Sequence, residues 1–184
     1  MVTVLAIGGS TRPGSSSERA LKLAGAAAEA AGASVVYITG RDLMLPIYDT
    51  ESTQRSALAL ALVEALRAAD GVIVASPGYH GGISGMMKNA LDYAEDLAQD
   101  ERAYLDGRAV GCIAVAYGWQ ATVSTLHQLR QVAHALRGWP TPMGASVNAS
   151  VASLAQGSED DAVKAQLEMV GRQVAEFALM YRTK

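Results

Sequence analysis

Short runs of apolar residues alternate along this chain with longer stretches in which apolar positions recur every three or four residues. The first run, residues 2–7, is rich in β-branched side chains and stops at Gly8-Gly9. Residues 34–39, 72–75, 109–116 and 145–149 repeat the pattern, the last more weakly, so five buried strands are expected. Helical stretches lie between them at 16–31, 54–69, 86–97, 122–137 and 160–181. Gly32 stops the first. Leu58, Leu62 and Leu66 carry the second, and Leu126, Leu129, Ala133 and Leu136 line one side of the fourth, which Pro140 and Pro142 break. In the last, Val163, Leu167, Val170, Val174 and Phe177 fall at i, i+4, i+7, i+11 and i+14, a strong amphipathic stripe. Residues 42–53 read as a loop around Pro46, Asp49 and Thr50.

Strands separated by helices imply an α/β fold: a five-stranded parallel sheet covered on both faces, with right-handed crossovers. The commonest order for five such units is 2-1-3-4-5. Sheets of this kind bind ligands beyond the carboxyl ends of the strands, where the order reverses. Here that points to the loops after the first, third and fourth strands. At 184 residues the chain suits one domain spanning 1–184, with no internal repeat or linker.

Composition narrows the classes. A net charge of −3 and a pI of about 5.6 argue against a nucleic-acid binder. The longest apolar runs fall short of a membrane span, and the amino-terminal residues read as a strand rather than a leader. Cys112 stands alone in an apolar run and reads as a buried core thiol. A cytoplasmic protein is expected.

The first loop reads Gly8-Gly9-Ser10-Thr11-Arg12-Pro13-Gly14-Ser15-Ser16-Ser17-Glu18. Its hydroxyls and the free amides of a helix start can ring a phosphate, and Arg12 can add countercharge. The spacing matches neither the nucleoside-triphosphate loop nor the dinucleotide fingerprint. Alternatively, Ser15 and Glu18 form only a capping box; the two roles are compatible. The third-strand loop carries glycine at 78, 81, 82 and 85 with Tyr79 and Ile83 beside them. A flat heterocycle could lie against that pliable backbone; the alternative is a flexible connection with no ligand. His80 has no nucleophile or metal-ligating partner near it, which favours backbone contact over proton transfer. Lys88, Asn89 and Asp92 read as helix surface or structural hydrogen bonds. After the fourth strand, Tyr117-Gly118-Trp119 could border a planar cofactor, or Trp119 could pack at a subunit contact. Trp139 reads as structural, and His127 and His134 lack a third ligand for a metal.

The residues resemble a known family, the NAD(P)H-dependent FMN reductases of flavodoxin-like fold. That family carries GSxRxxSxN in its first loop, against Gly9-Ser10-Thr11-Arg12-Pro13-Gly14-Ser15-Ser16-Ser17 here. It carries (S/T)PEYNGSxPGxLKNAxDW after the third strand, and residues 76–93 run parallel to it. Leu45-Pro46-Ile47-Tyr48-Asp49 is similar to its LPxYD stretch. The resemblance implies a flavodoxin-like three-layer sandwich. It implies that Ser10, Arg12, Ser15 and Ser17 hold an FMN phosphate, and Ser16, in the same run of hydroxyls, is expected beside them. It implies that Pro77, Gly78, Tyr79, His80 and Gly81 line the isoalloxazine, with Tyr117, Gly118 and Trp119 completing the pocket. Among the departures from the pattern, Gly78 replaces glutamate, His80 and Ser17 replace asparagine, and Ser84 replaces proline. The last change is associated with reductases that supply monooxygenases.

The expected activity is hydride transfer from NADH or NADPH straight to FMN, with no catalytic side chain and no metal. The expected assembly is a homodimer or homotetramer. A quinone, azo dye or chromate could replace free FMN as the acceptor. A flavodoxin-type electron carrier and a non-catalytic nucleotide sensor are the rivals from other classes.

Overall fold

The computed structural model describes residues 1–182. Its strands are β1 (Val2–Gly8), β2 (Ala33–Thr39), β3 (Gly71–Tyr79), β4 (Gly82–Ile83), β5 (Ala109–Ala116), β6 (Trp139–Pro140) and β7 (Ala145–Asn148). Its helices are α1 (Ser16–Ala30), α2 (Ala57–Ala68), α3 (Gly85–Asp92), α4 (Trp119–Ala135) and α5 (Asp161–Arg182). The sheet runs β2-β1-β3-β5-β6, with β7 also on β5 and β4 folded back on β3. All pairings are parallel except β3 with β4.

The expected count of five strands is therefore corrected to seven among the described residues. β6 and β7 are two pieces of one outer strand, so the expected order survives as a path. Between them Pro142 has no N–H to give, and the Met143 amide donates to Gln173 Oε1 instead (2.9 Å). β4 exists because the chain reverses after Tyr79 in a two-residue turn. The helix boundaries also move. α2 begins at Ala57, capped by the Ser56 hydroxyl, which accepts from the Ala59 N–H. α4 begins three residues before the expected Thr122. The expected helix over 86–97 is α3 followed by a 3₁₀ turn over Tyr93–Leu97.

Side chains alternate across the sheet as strand geometry requires. Leu5, Ile7, Val72, Val74, Val110 and Cys112 pack on one face under α2, α3 and α4. Val4, Ala6, Ile73, Ile113 and Val115 pack on the other under α1 and α5. Burial pushes the Cys112 thiol up to about 12, so it behaves as a small apolar side chain. α1 and α5 form the most extensive helix pairing. Ala20, Ala24 and Ala28 on α1 keep it thin, and Gly171 on α5 lets the backbones meet: a Cβ there would stand 1.8 Å from the Ala24 carbonyl oxygen.

Residues 44–56 are fastened rather than loose. Asn89 Oδ1 accepts from the Tyr48 N–H (2.8 Å) and Asn89 Nδ2 donates to the Pro46 carbonyl (2.9 Å). The LPxYD-like and KNA-like stretches are thus one joint, and Asn89 is structural. Lys88 pairs with Asp92 on the exposed side of α3. Arg55 forks onto Asp96 (2.7 and 2.8 Å) and lies over the Tyr48 ring. The Arg55 hydrogen bonds hold the Asp96 carboxyl below its usual 3.8. A depressed carboxylate contributes stability that is complete above the unfolded value and lost as pH falls through the folded one. Acid unfolding below about pH 4 is therefore expected to be shallower in Asp96→Asn than in the parent, as followed by circular dichroism against pH.

Candidate active site

The carboxyl ends of β1, β3 and β5 meet at one edge of the sheet. Gly8 lies so close to β3 that a Cβ would stand 2.3 Å from the Ala75 carbonyl oxygen, which also accepts the Gly9 N–H (3.2 Å). That contact brings the first and third loops side by side. Ser15 then caps α1, its hydroxyl accepting from the Glu18 N–H (3.3 Å) and sharing a hydrogen bond with Ser17 Oγ (3.2 Å). The Glu18 carboxylate accepts from the Gly14 N–H (2.9 Å) and from Lys22 Nζ (2.6 Å). The Lys22 ammonium holds that carboxyl below its ordinary value and offsets its negative charge beside the helix start. The capping reading and an anion-binding reading coexist: the first amides of α1 still point out of the helix start.

A cavity of about 410 Å³ opens at this edge. That volume lies within the roughly 300–1,000 Å³ of small-molecule and cofactor sites. Ser10, Arg12, Ser15, Ser16 and Ser17 line its polar end; Pro77, Gly78, Tyr79 and Tyr117 line the rest, with Val115, Ala116, Ala121 and Ala149. Tyr79 and Tyr117 are exposed at the rim. His80, Gly81 and Gly118 line an adjoining hollow instead, which shares Ala121 with the first. Trp119 lines neither and is exposed at the start of α4. The four small apolar lining residues carry no sequence signal, because alanine and valine in a strand or helix look the same wherever they face. Ala149 shows that the end of the outer strand also contributes.

The departures from the family pattern have local causes. A Cβ at Gly78 would stand 2.7 Å from Thr125 Oγ1 and 3.1 Å from Ala116 Cβ, so α4 lies too near for a glutamate there. The Thr125 hydroxyl is buried behind it with no hydrogen-bond partner. His80 (φ 53°) and Gly81 (φ 84°) form the left-handed turn joining β3 to β4. Histidine, like asparagine, is among the residues that tolerate that conformation best. Ser84 caps α3, accepting from the Met87 N–H (3.2 Å).

The family model of the NADPH-dependent FMN reductases matches residues 2–152. The chain belongs to that family. Within curated proteins it is similar to an NADPH azoreductase from Bacillus sp. (strain OY1-2), 36% identical over 86 residues, which is 46% of this chain and 45% of that one. It is also similar to a quinone reductase from Escherichia coli (strain K12), 38% identical over 56 residues, 29% of this chain and 30% of the relative. The chain thus aligns with less than half the length of either. An oxidoreductase from Corynebacterium diphtheriae shares the fold, with a TM-score of 0.72 at 21% identity over 98% of both chains. The matched residues of the FMN reductase family contain both loops of the cavity.

The cavity fits the family's cofactor. A phosphate suits the end made of hydroxyls, helix-start amides and Arg12, and a flat ring suits the surface formed by the adjoining ends of β3 and β5, Pro77–Tyr79 and Val115–Tyr117. Among the described residues no helix is long and apolar enough to cross a membrane.

Proposed function

We propose that this chain binds FMN in the cavity and reduces it with NADH or NADPH. The observation that carries the reading is the continuity of one cavity from the serine-rich helix start to the adjoining ends of β3 and β5. Bound FMN would supply a ring that accepts a hydride from the nicotinamide. The protein's part is positional. Ser10, Ser15, Ser16, Ser17 and Arg12 hold the phosphate. Backbone groups of Pro77, Gly78 and Tyr79 border the ring, and Tyr79 and Tyr117 frame the open side from which a second planar substrate can stack. His80, Gly81 and Gly118 line the adjoining hollow, which offers room beside the cavity for part of a second substrate. Because the transfer is direct, no paired acid and base is required of the side chains.

A second reading has specific support. The azoreductase and quinone reductase similarities favour an azo compound or a quinone as the final acceptor in place of free FMN. We place the protein in the cytoplasm as a homodimer or homotetramer. If flavin is released, a flavin-dependent monooxygenase is the consumer. Anaerobic mixing with FMN and NADH or NADPH is expected to bleach the flavin's visible absorbance, with re-oxidation by a quinone separating the two readings. Bleaching no faster than in a protein-free control with either nucleotide overturns the proposal.

A further inference from the structure

We propose that Gln128 and Ser124 of α4 are positioning residues that set the hairpin bordering the ring end of the cavity, an inference that rests on the FMN reading above. The hairpin is β3–β4, whose ladder has only the pairs Gly78 with Ile83 and Tyr79 with Gly82. Two-stranded hairpins are marginal by themselves in water, so something outside must hold this one. α4 supplies the hold. Ser124 Oγ donates to the Gly81 carbonyl (2.8 Å), and Gln128 Nε2 donates to the same oxygen (3.2 Å). The Ile83 N–H donates to Gln128 Oε1 (3.2 Å). One side-chain amide therefore offers the hairpin both a donor and an acceptor, as a further strand would. It lies flat against the turn, since a Cβ on Gly82 would stand 3.0 Å from Gln128 Oε1.

The neighbouring strand end that lines the cavity, that of β5, reaches the same helix. Tyr117 and Gly118 run directly into α4, and Ala121 of its first turn lines the cavity. One rigid element thus fixes both the hairpin that carries Tyr79 and the segment that carries Tyr117. Releasing the hairpin would leave the phosphate end untouched and spoil the ring end.

The test is FMN titration and visible circular dichroism of bound flavin in Gln128→Leu, which keeps the bulk and removes both hydrogen bonds. Ser124→Ala is the milder companion, since Gly81 keeps its bond from Gln128. His127→Leu, exposed on the same helix, is the control. Gln128→Leu is expected to bind FMN about tenfold more weakly, a change of ~1.4 kcal/mol, and to lose part of the flavin's induced dichroism at an unchanged melting temperature. Ser124→Ala should shift both signals in the same direction by less, and it carries the test if Gln128→Leu does not fold. Parent-like FMN affinity and dichroism in both variants overturn the inference alone. A parent chain that binds no FMN overturns the flavin reading and this inference with it.

Discussion

Gly171→Ala is expected to lower the melting temperature by about 4–8 °C, given roughly 2–4 °C per kcal/mol for a domain of this size. Two effects compete at this position. Alanine is the better helix former by ~1 kcal/mol, which favours the variant. Against that, the added methyl would stand 1.8 Å from the Ala24 carbonyl oxygen, the shortest such approach among the described glycines. Backbone cannot rotate out of the way as a side chain can, so α1 and α5 must separate. Overpacking of this kind costs about 1–3 kcal/mol and occasionally more. The separation also loosens Leu167, Val170 and Val174 from the sheet, which puts the cost at the top of that range, about 3 kcal/mol, and the net loss after alanine's gain near ~2 kcal/mol. Gly85→Ala is the control: it also lies in a helix, and nothing stands within 4 Å of the added methyl. A thermal melt of Gly171→Ala that coincides with the parent would show that the helix pair is not as tightly closed as described.

Arg12→Ala is expected to raise the FMN dissociation constant about 10–100-fold, the range for losing a charge-assisted hydrogen bond. Riboflavin affinity should stay nearly constant, because riboflavin offers the ring and ribityl chain without the phosphate. The fold should not suffer. Arg12 is exposed, and its only described hydrogen bond is from its backbone N–H to Ser10 Oγ (3.2 Å). The difference between FMN and riboflavin should narrow further as salt is raised, since an exposed charge is screened. Equal losses for FMN and riboflavin, or none for FMN, would remove Arg12 from the phosphate end and weaken the orientation assigned to the cavity.

Much of this architecture is legible in the sequence because burial on both faces forces near-continuous apolar strands. Residues 109–116 were recognisable to the residue for that reason. The outer strand was harder. Its pieces are short, and the Met143 amide between them finds its partner in Gln173, thirty residues away in sequence, which no local pattern encodes. The start of α4 at Trp119 is not legible, because Gly118 and Tyr117 give no side-chain cap signal. Arg108 was invisible for a different reason. It is buried, with Nε donating to the Ala69 carbonyl and its other nitrogens to those of Tyr104 and Arg67. In sequence it reads like any exposed arginine.

The cavity follows the same division. Its polar lining is legible because hydroxyls, glycines and an arginine fall together between a strand and a helix start, where free amides already favour an anion. The apolar floor was not, since Val115, Ala116, Ala121 and Ala149 look like core. The placement of His80 and Gly81 in an adjoining hollow follows from a turn geometry that sequence allowed but did not require. Ser124 and Gln128 gave no sign at all, because a helix surface normally carries such residues into water.

The broken outer strand also bears on how the molecule behaves when concentrated. With Pro140 and Pro142 in it, that margin offers a neighbouring molecule no unbroken row of amides on which to extend the sheet. The opposite margin, β2, runs seven residues without interruption and leaves Val36 and Tyr37 partly open to water. Stray pairing between copies, and any aggregation that grows from it, would have to begin there.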